Sequence, residues 1–429
     1  MRLPLLLIML TAAGLSAAQY PPDTNVDESR VPAYTLPDPL TMESGEPVRD
    51  AAAWRERRRP EILRLFETHV YGRTPAERAG LAADEPALER GVLGGAATRK
   101  QVTLRIRRNG RELPVELLVY LPAKATGPVP VFLGLNFRGN QAVSTDPGIR
   151  LAKSWLPDRD PGVVNHRATD ASRGTAASRW PVETIVGRGY ALATAYYGDF
   201  DPDFDDGFAN GAHPLFYRPG QSRPADGEWG SIGAWAWGLS RLLDYLETDP
   251  DIDATRAAVL GHSRLGKTAL WAAAQDERFA LAISNDSGCG GAALSRRIFG
   301  ETVAHITKSF PHWFTARFAT YARREAELPV DQHQLLALIA PRPLYVASAA
   351  DDLWADPRGE FLGALGADPV YRLLGTEGLG TTEWPAVDTP VGRTIGYHVR
   401  RGGHDVTDYD WAQFLAFADR HLRAARPAR

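Results

Sequence analysis

Residues 261–268, Gly-His-Ser-Arg-Leu-Gly-Lys-Thr, fit two motifs that share one backbone arrangement and differ in chemistry. In a phosphate-binding P-loop, backbone N–H groups surround a phosphate and a lysine, here Lys267, reaches its outer oxygens. In a nucleophile elbow, Ser263 is exposed on a sharp turn between a strand and a helix. Both motifs require an apolar strand, here 257–260, and an amphipathic helix, here about 267–275. The octapeptide therefore predicts a strand–turn–helix unit, and the rest of the chain must decide the chemistry.

The N-terminus has the pattern of an export signal. One arginine precedes the apolar run 5–10, and the small residues 16–18 form a cleavage pattern. We interpret residues 1–18 as a signal peptide and residues 19–429 as one domain. The run is too short for a membrane span, which needs about 20 apolar residues. The sequence thus predicts a periplasmic or secreted protein, a location where nucleoside triphosphates are scarce, and this disfavours the P-loop interpretation.

Composition excludes several classes of protein. A single cysteine, Cys289, rules out an intramolecular disulfide, so stability must come from the core. The 49 basic and 52 acidic residues are interspersed and give a net charge of -3, which predicts neither a nucleic-acid partner nor an anionic membrane surface. Histidines such as His69, His312 and His398 lack metal-ligand spacing and are interpreted as structural. We expect no metal and no other cofactor.

The first half of the chain predicts a helix followed by antiparallel strands. Residues 48–71 have helical periodicity, with Pro60 expected to break the helix near its first turns. Three runs, 101–107, 112–120 and 129–135, have strand character, and Asn109-Gly110 joins the first two as a hairpin. Together they predict an antiparallel start to a sheet. Residues 138–185 are rich in Gly, Asp, Arg and Ser, which predicts a long surface insertion.

The second half alternates strands with helices. The predicted strands are 191–197, 257–260, 281–284, 343–348 and 395–399, and the flanking helices include 232–246 and 411–425. This alternation predicts an α/β protein, a three-layer sandwich with a mostly parallel central sheet between helices. Binding sites in such sheets form at the carboxyl ends of the strands. Four polar residues follow predicted strands in this way: Ser263, Asp286, Asp352 and His404.

These four residues match the requirements of nucleophilic catalysis. A serine hydroxyl is a weak nucleophile until a histidine accepts its proton, and the resulting imidazolium needs a carboxylate to orient and stabilise it. His404 lies in a turn after the last strand, and it follows both Ser263 and the acid in chain order, as in α/β hydrolases. Two carboxylates, Asp286 and Asp352, are candidates for the acid.

Four segments together resemble a known family. Residues 261–267 resemble the signature Gly-Cys-Ser-Arg-x-Gly-Lys of the glucuronoyl esterases, carbohydrate esterase family 15, in its bacterial form. His262 stands where many members have cysteine, and Leu265 replaces the glycine that generic elbows have two residues after the serine. The resemblance extends to 285–291 (Asn-Asp-Ser-Gly-Cys-Gly-Gly), 350–357 (Ala-Asp-Asp-Leu-Trp-Ala-Asp-Pro) and 403–405 (Gly-His-Asp). It implies an α/β-hydrolase fold.

The resemblance also implies roles in ester hydrolysis. Ser263 would attack the C6 carbonyl of a glucuronate ester, and His404 would act as base and then as acid. Of the two candidate acids we favour Asp352, with Asp286 as a second contributor, because many fungal members have the longer glutamate at the Asp286 position. Arg264 would stabilise the oxyanion through its backbone N–H and its guanidinium.

Three more residues match family positions that contact the sugar: Lys267, Glu301 and Trp354, with Glu301 matched by spacing alone. The resemblance implies a substrate in which 4-O-methyl-glucuronate on xylan is esterified to lignin alcohols. The sequence also allows three other interpretations of the function: a carbohydrate acetylesterase on the same fold, a P-loop NTPase, and a non-catalytic carbohydrate-binding protein.

Overall fold

The computed structural model describes residues 20–423, so the predicted signal peptide lies outside the described residues. The strands are β1 (Gly80–Ala83), β2 (Ala87–Val92), β3 (Ala97–Arg108), β4 (Arg111–Pro122), β5 (Val129–Asn136), β6 (Val163–Val164), β7 (Arg167–Ala168), β8 (Ala191–Tyr196), β9 (Ile252–His262), β10 (Leu281–Asn285), β11 (Leu344–Ala349), β12 (Val391–Gly392) and β13 (Ile395–Arg400).

Helices lie between and around these strands. The α-helices are α1 (Ala51–Ala53), α2 (Arg59–Phe66), α3 (Val182–Gly187), α4 (Ser231–Leu246), α5 (Arg264–Gln275), α6 (Val303–Ser309), α7 (Ala316–Ala319), α8 (Gln332–Ala337), α9 (Pro357–Leu373) and α10 (Asp408–Ala418). No helix among residues 20–423 is long and apolar enough to cross a membrane.

One large mixed sheet organises the molecule. Its strand order is β1-β3-β4-β8-β5-β9-β10-β11-β13-β12, and β2 pairs with residues 97–101 at the start of β3. Six neighbouring strands from β8 to β13 run parallel, and the strands at both ends of the order pair antiparallel. The predicted mostly parallel sheet is confirmed. Because β9, β10, β11 and β13 are neighbours, their carboxyl ends meet at the same edge.

The predicted hairpin between β3 and β4 is confirmed, and its turn has a simple backbone cause. Asn109 and Gly110 both have positive φ, 50° and 74°. Two consecutive positive φ values define a type I′ turn, whose twist matches that of the flanking strands. Arg108 therefore pairs directly with Arg111, and this register continues to Ala97 and Pro122.

The third predicted antiparallel strand, β5, is placed differently. It does not pair with β4: β8 lies between them, and β5 runs parallel to both β8 and β9. This position is consistent with the burial of β5, because seven of its eight residues are buried. A strand covered on both faces is typical of the parallel interior of an α/β sheet. The prediction of β5 as part of the antiparallel start was wrong.

Alternating side chains of the central strands fill two cores. Val131 and Leu133 of β5 pack in the larger core, with α2, α4, α5, α8 and α9, whereas Phe132 points to the other face, which α3 and α10 cover. This is the period of two expected for a strand. The arrangement is the three-layer sandwich that the alternation of strands and helices predicts.

The N-terminal helix continues through Pro60 instead of breaking there. Helical backbone runs from Ala51 to Tyr71, but the turn before α2 is wider, and the N–H of Arg59 donates to the carbonyl of Trp54. Proline lacks an N–H and crowds the carbonyl four residues earlier, and its place at the second residue of α2, after the wide turn, accommodates both defects. Trp54 and Phe66 are fully buried.

Candidate active site

The turn between β9 and α5 is a nucleophile elbow. Ser263 is its single connecting residue, with φ 57° and ψ -129°, a conformation that non-glycine residues rarely adopt. Helix α5 begins at Arg264, three residues before the predicted start. The turn is so tight that a Cβ on Gly261 would lie 1.9 Å from the carbonyl oxygen of Leu265. Glycine is therefore required at 261, and the strained serine is held at the helix N-terminus.

This geometry excludes the P-loop interpretation. A P-loop needs several residues between strand and helix to surround a phosphate, whereas one residue connects β9 to α5. The lysine that would reach the phosphate is also engaged elsewhere. Lys267 is buried, and its Nζ donates a 2.5 Å hydrogen bond to the carbonyl of Ser287.

His404 and Asp352 form a hydrogen-bonded pair above the end of the sheet. Nδ1 of His404 lies 2.6 Å from Oδ2 of Asp352, and the carboxylate is 5 % exposed while the imidazole is 42 % exposed. Because a carboxylate can only accept, the hydrogen bond places the proton on Nδ1 and leaves Nε2 free as a base. Ser263, Asp352 and His404 line the same cavity, of about 690 Å³.

Asp286 lies beside this pair without bonding to the imidazole. One oxygen of Asp286, one of Asp352 and one ring nitrogen of His404 lie within 4.8 Å of one another. Oδ2 of Asp286 is 3.4 Å from the guanidinium of Arg400, and its Oδ1 has no hydrogen-bond partner among the described residues. Burial, and then the charges of Glu360 and Asp352, raise the pKa of Asp286 well above its usual value. The geometry therefore favours Asp352 as the partner of His404.

Arg264 reaches a buried carboxylate that the sequence did not reveal. Its guanidinium forms an ion pair with Asp203 and lies over the ring of Trp313, 4.8 Å from the ring centroid. Asp203 also accepts from Nε2 of His312 (3.0 Å), Nε1 of Trp313 (2.7 Å) and the hydroxyl of Tyr197 (3.0 Å). Burial raises the pKa of Asp203, but the His312 hydrogen bond and the Arg264 charge outweigh it and lower that pKa overall.

The backbone N–H of Arg264 adds a second donor at the same point. As the first residue of α5, Arg264 has no acceptor for its N–H within the helix. The positive end of the helix dipole lies there as well. The guanidinium and this N–H thus give one residue two ways to stabilise negative charge next to Ser263. His312, interpreted as structural from the sequence, belongs to the network that fixes the guanidinium.

The three predicted sugar-contact residues line the large cavity together with the other site residues. The eight predicted residues are Ser263, Arg264, Lys267, Asp286, Glu301, Asp352, Trp354 and His404, and all eight line this one cavity. Burial lowers the pKa of Lys267 and raises that of Glu301, and each charge partly offsets the effect on the other. A buried cation beside a half-buried carboxylate suits recognition of hydroxyl groups, which both donate and accept.

The segment that begins at Tyr20 forms one wall of this cavity, which the sequence did not predict. The ring of Tyr20 stacks on Trp354 with centroids 5.7 Å apart and an interplanar angle of 6°. Asp23 is 3.0 Å from Nε2 of His305, whose ring also contacts Trp354. Tyr20 covers one face of the indole, so only the rest of Trp354 is available to a sugar.

Glu360 of α9 positions the loop that follows β10. It accepts hydrogen bonds from the backbone N–H groups of Ser287 (2.7 Å) and Gly288 (3.0 Å) and from the hydroxyl of Ser348 (2.6 Å). The carbonyl of Ser287 in this loop is the acceptor for Lys267. Burial raises the pKa of Glu360 to about 7.

Glu360→Gln is expected to change how stability depends on pH. The folded protein keeps the Glu360 proton up to about pH 7, whereas the unfolded chain releases it near the usual value of 4.5. The stability from this proton is complete below that value and is lost as pH rises through about 7, a loss of about 3 kcal/mol that glutamine avoids. The difference in free energy of unfolding between variant and wild type should therefore grow from pH 5 to 8.

Denaturant unfolding at several pH values measures this difference. Glu383→Gln, at an exposed position, is the control and should leave the pH profile unchanged. Parallel profiles for Glu360→Gln and the wild type would contradict the assignment of a retained proton to Glu360.

Comparison with known proteins finds related esterases. A family model described as fungal glucuronyl esterase matches residues 221–375. A relative named carbohydrate esterase MZ0003, from an unknown prokaryotic organism, is 53% identical over 399 residues, 93% of this chain and 92% of the relative. A solved structure of a promiscuous CE15 esterase from a marine bacterial metagenome has 52% identity and a TM-score of 0.87, and covers 93% of this chain and 100% of that chain.

A second solved structure, the glucuronoyl esterase from Solibacter usitatus, is 51% identical with a TM-score of 0.86, and covers 91% of this chain and 99% of that chain. The similarity thus extends over more than nine-tenths of this chain in both solved structures. Because identity above one half extends over more than nine-tenths of each chain, the chain belongs to the glucuronoyl esterases, carbohydrate esterase family 15, a family of carboxylic ester hydrolases with the α/β-hydrolase fold.

Proposed function

We propose that this protein hydrolyses esters of glucuronic acid or 4-O-methyl-glucuronic acid through an acyl-enzyme formed on Ser263. The observation that carries the proposal is the elbow serine in one cavity with the 2.6 Å His404–Asp352 pair and the buried Lys267. Membership of the glucuronoyl esterase family supports the choice of substrate.

In the first half of the reaction, Oγ of Ser263 attacks the C6 carbonyl and gives its proton to Nε2 of His404. The carbonyl oxygen becomes an oxyanion next to the N–H and guanidinium of Arg264, which stabilise it. His404, held by Asp352, then donates the proton to the alkoxy oxygen, and the alcohol leaves. Lys267, Glu301 and Trp354 bind the sugar, and Asp286 acts as a second contributor to the charge balance near His404.

In the second half, water attacks the acyl carbon and gives its proton to His404, which returns that proton to Oγ of Ser263 as the acyl bond breaks. The products are the free uronic acid and the regenerated enzyme. The natural substrate in this proposal is the ester between glucuronoxylan and a lignin alcohol. We also propose export to the periplasm or medium on the signal peptide 1–18, and a single hydrolase domain in which residues 138–185 are an insertion beside the site.

One comparison of substrates tests the proposal. The purified protein should hydrolyse methyl and benzyl glucuronate, with release of the alcohol followed by chromatography. Activity on acetylated xylan with none on these glucuronate esters would favour a carbohydrate acetylesterase. Binding of sugar without any turnover would favour a non-catalytic carbohydrate-binding protein.

Asp203→Asn is expected to lower kcat/KM about a hundredfold without unfolding the protein, because the guanidinium of Arg264 loses its ion pair and moves from the oxyanion. The loss should appear mainly in kcat. Asp203 acts through Arg264, so a variant carrying both Asp203→Asn and Arg264→Ala should be no less active than Arg264→Ala alone. Additive losses in this double-mutant cycle would show that Asp203 does not act through Arg264.

A further inference from the structure

Two cavities meet at the elbow, and they differ in what surrounds them. The larger, about 690 Å³, contains Lys267, Glu301 and Trp354. The smaller, about 170 Å³, lacks these three residues, yet Ser263, Arg264 and His404 line both. Because the two cavities adjoin at Ser263, an ester held there with its uronate in the larger cavity has the smaller cavity available for its alcohol portion.

The smaller cavity is electropositive. Four guanidinium groups line it, those of Arg138, Arg159, Arg179 and Arg264, and Asp160 is the single carboxylate in the lining. Two of these arginines form ion pairs with carboxylates that do not line the cavity. Arg264 pairs with Asp203, and Arg179 pairs with Asp405 at 2.6 Å.

Arg138 and Arg159 must therefore share one carboxylate. Nε of Arg138 is 3.9 Å from Asp160, at the limit of an ion pair, and the exposed Arg159 has no carboxylate within 4.0 Å among residues 20–423. Burial raises the pKa of Asp160, although the charges of Arg138, Arg159 and Arg264 oppose the rise. The lining thus keeps at least one positive charge that no group among residues 20–423 neutralises.

One wall of the smaller cavity is aromatic. Phe137 contributes a half-buried ring, which packs edge-on against Tyr197 and His262. Its ring also lies 5.6 Å from the guanidinium of Arg264. A cavity of about 150 Å³ with apolar walls holds a benzene ring, so about 170 Å³ is enough for one aryl group.

We propose that the smaller cavity binds the alcohol portion of the substrate, and that its preferred alcohol is an aryl-methyl group carrying a carboxylate, bound by Arg159 and Arg138. This inference rests on the proposed function, because it assigns the leaving group of that reaction. The ring packs beside Phe137, and the carboxylate neutralises the unpaired positive charge of Arg159 and Arg138 at the rim of the cavity. Departure of the alcohol follows the proton transfer from His404 already described and needs no further reactant.

Three esters of glucuronic acid test this proposal: the 4-carboxybenzyl, 4-carbamoylbenzyl and unsubstituted benzyl esters. The carbamoyl group matches the carboxylate in shape and withdraws electrons without a charge. We expect kcat/KM for the carboxybenzyl ester to exceed that for the carbamoylbenzyl ester about tenfold, as charge-assisted hydrogen bonds to arginine provide. The ratio should fall as ionic strength rises.

Variants locate the effect. Arg159→Gln should bring the ratio of the two kcat/KM values close to 1, and Arg138→Gln should reduce it in part. Arg90→Gln, an exposed arginine on β2 outside both cavities, should leave the ratio and both rates at wild-type values.

Two outcomes overturn the inference separately from the proposed function. If all three esters are hydrolysed with a ratio near 1, or if the ratio survives Arg159→Gln and Arg138→Gln, the assignment of the smaller cavity is wrong while the esterase activity stands. If none of the three esters is hydrolysed, the proposed function fails and the inference fails with it.

Discussion

Ser263→Ala is expected to lower kcat for a glucuronate ester by about 10⁴- to 10⁶-fold, the range seen when a serine hydrolase loses its nucleophile. Alanine removes the hydroxyl that forms the acyl-enzyme, while the elbow backbone and the sugar contacts of Lys267, Glu301 and Trp354 are kept. Substrate binding should therefore survive, and the loss should appear in kcat instead of KM. Release of benzyl alcohol from benzyl glucuronate measures the rate.

Covalent labelling provides a second readout of the same residue. A fluorophosphonate probe should modify Ser263 in the wild type, and mass spectrometry of the digested protein identifies the labelled peptide. Ser309→Ala is the matched control, because Ser309 lines the same cavity but does not lie at the elbow. It should keep both labelling and activity. Undisturbed hydrolysis in a protein whose Ser263 stays unlabelled would contradict the acyl-enzyme mechanism.

The parts of the site that follow strands were predictable from the sequence. Each of Ser263, Asp286, Asp352 and His404 comes shortly after a run of buried residues, and parallel strands bring such positions to one edge whatever their separation in sequence. The predicted parallel strands are confirmed because their apolar runs and the helices between them leave few other arrangements. Among the predicted strands, β5 was placed wrongly in the order, since strand order depends on tertiary pairing that a local pattern does not encode.

The groups that position the site were not predictable in the same way. Asp203 lies in an acidic loop with no motif, and 61 positions separate it from Arg264. Tyr20 is the second residue after the predicted signal peptide, and its ring reaches Trp354 only in the folded chain. Pairing of this kind arises from loops that meet in space, so neither spacing nor periodicity signals it. For the same reason, the sequence named two possible acids and favoured Asp352 only through the family resemblance, and the 2.6 Å distance from Asp352 to His404 supports that choice.

Asp352→Asn is expected to lower kcat about 10²- to 10⁴-fold, because an amide cannot stabilise the imidazolium that His404 becomes. The asparagine can also donate to Nδ1, which would favour the wrong tautomer and remove the proton acceptor at Nε2. Asp351→Asn is the control. Its carboxylate also lines the cavity and is exposed. The variant therefore tests whether removing any negative charge near the site is enough to lower kcat.

Asp286→Asn should have a much smaller effect, and the reason lies in its burial. The raised pKa of Asp286 means that its carboxyl group keeps a proton to higher pH than an ordinary aspartate, so a neutral amide of the same shape changes the local charge less than at Asp352. The 3.4 Å contact with Arg400 is weakened, but the amide oxygen of asparagine can still accept a hydrogen bond from the guanidinium. Steady-state kinetics of the three Asn variants decide the matter. A loss for Asp286→Asn as large as for Asp352→Asn would mean that both carboxylates stabilise the imidazolium, and the pair would then have to be treated as one titrating unit.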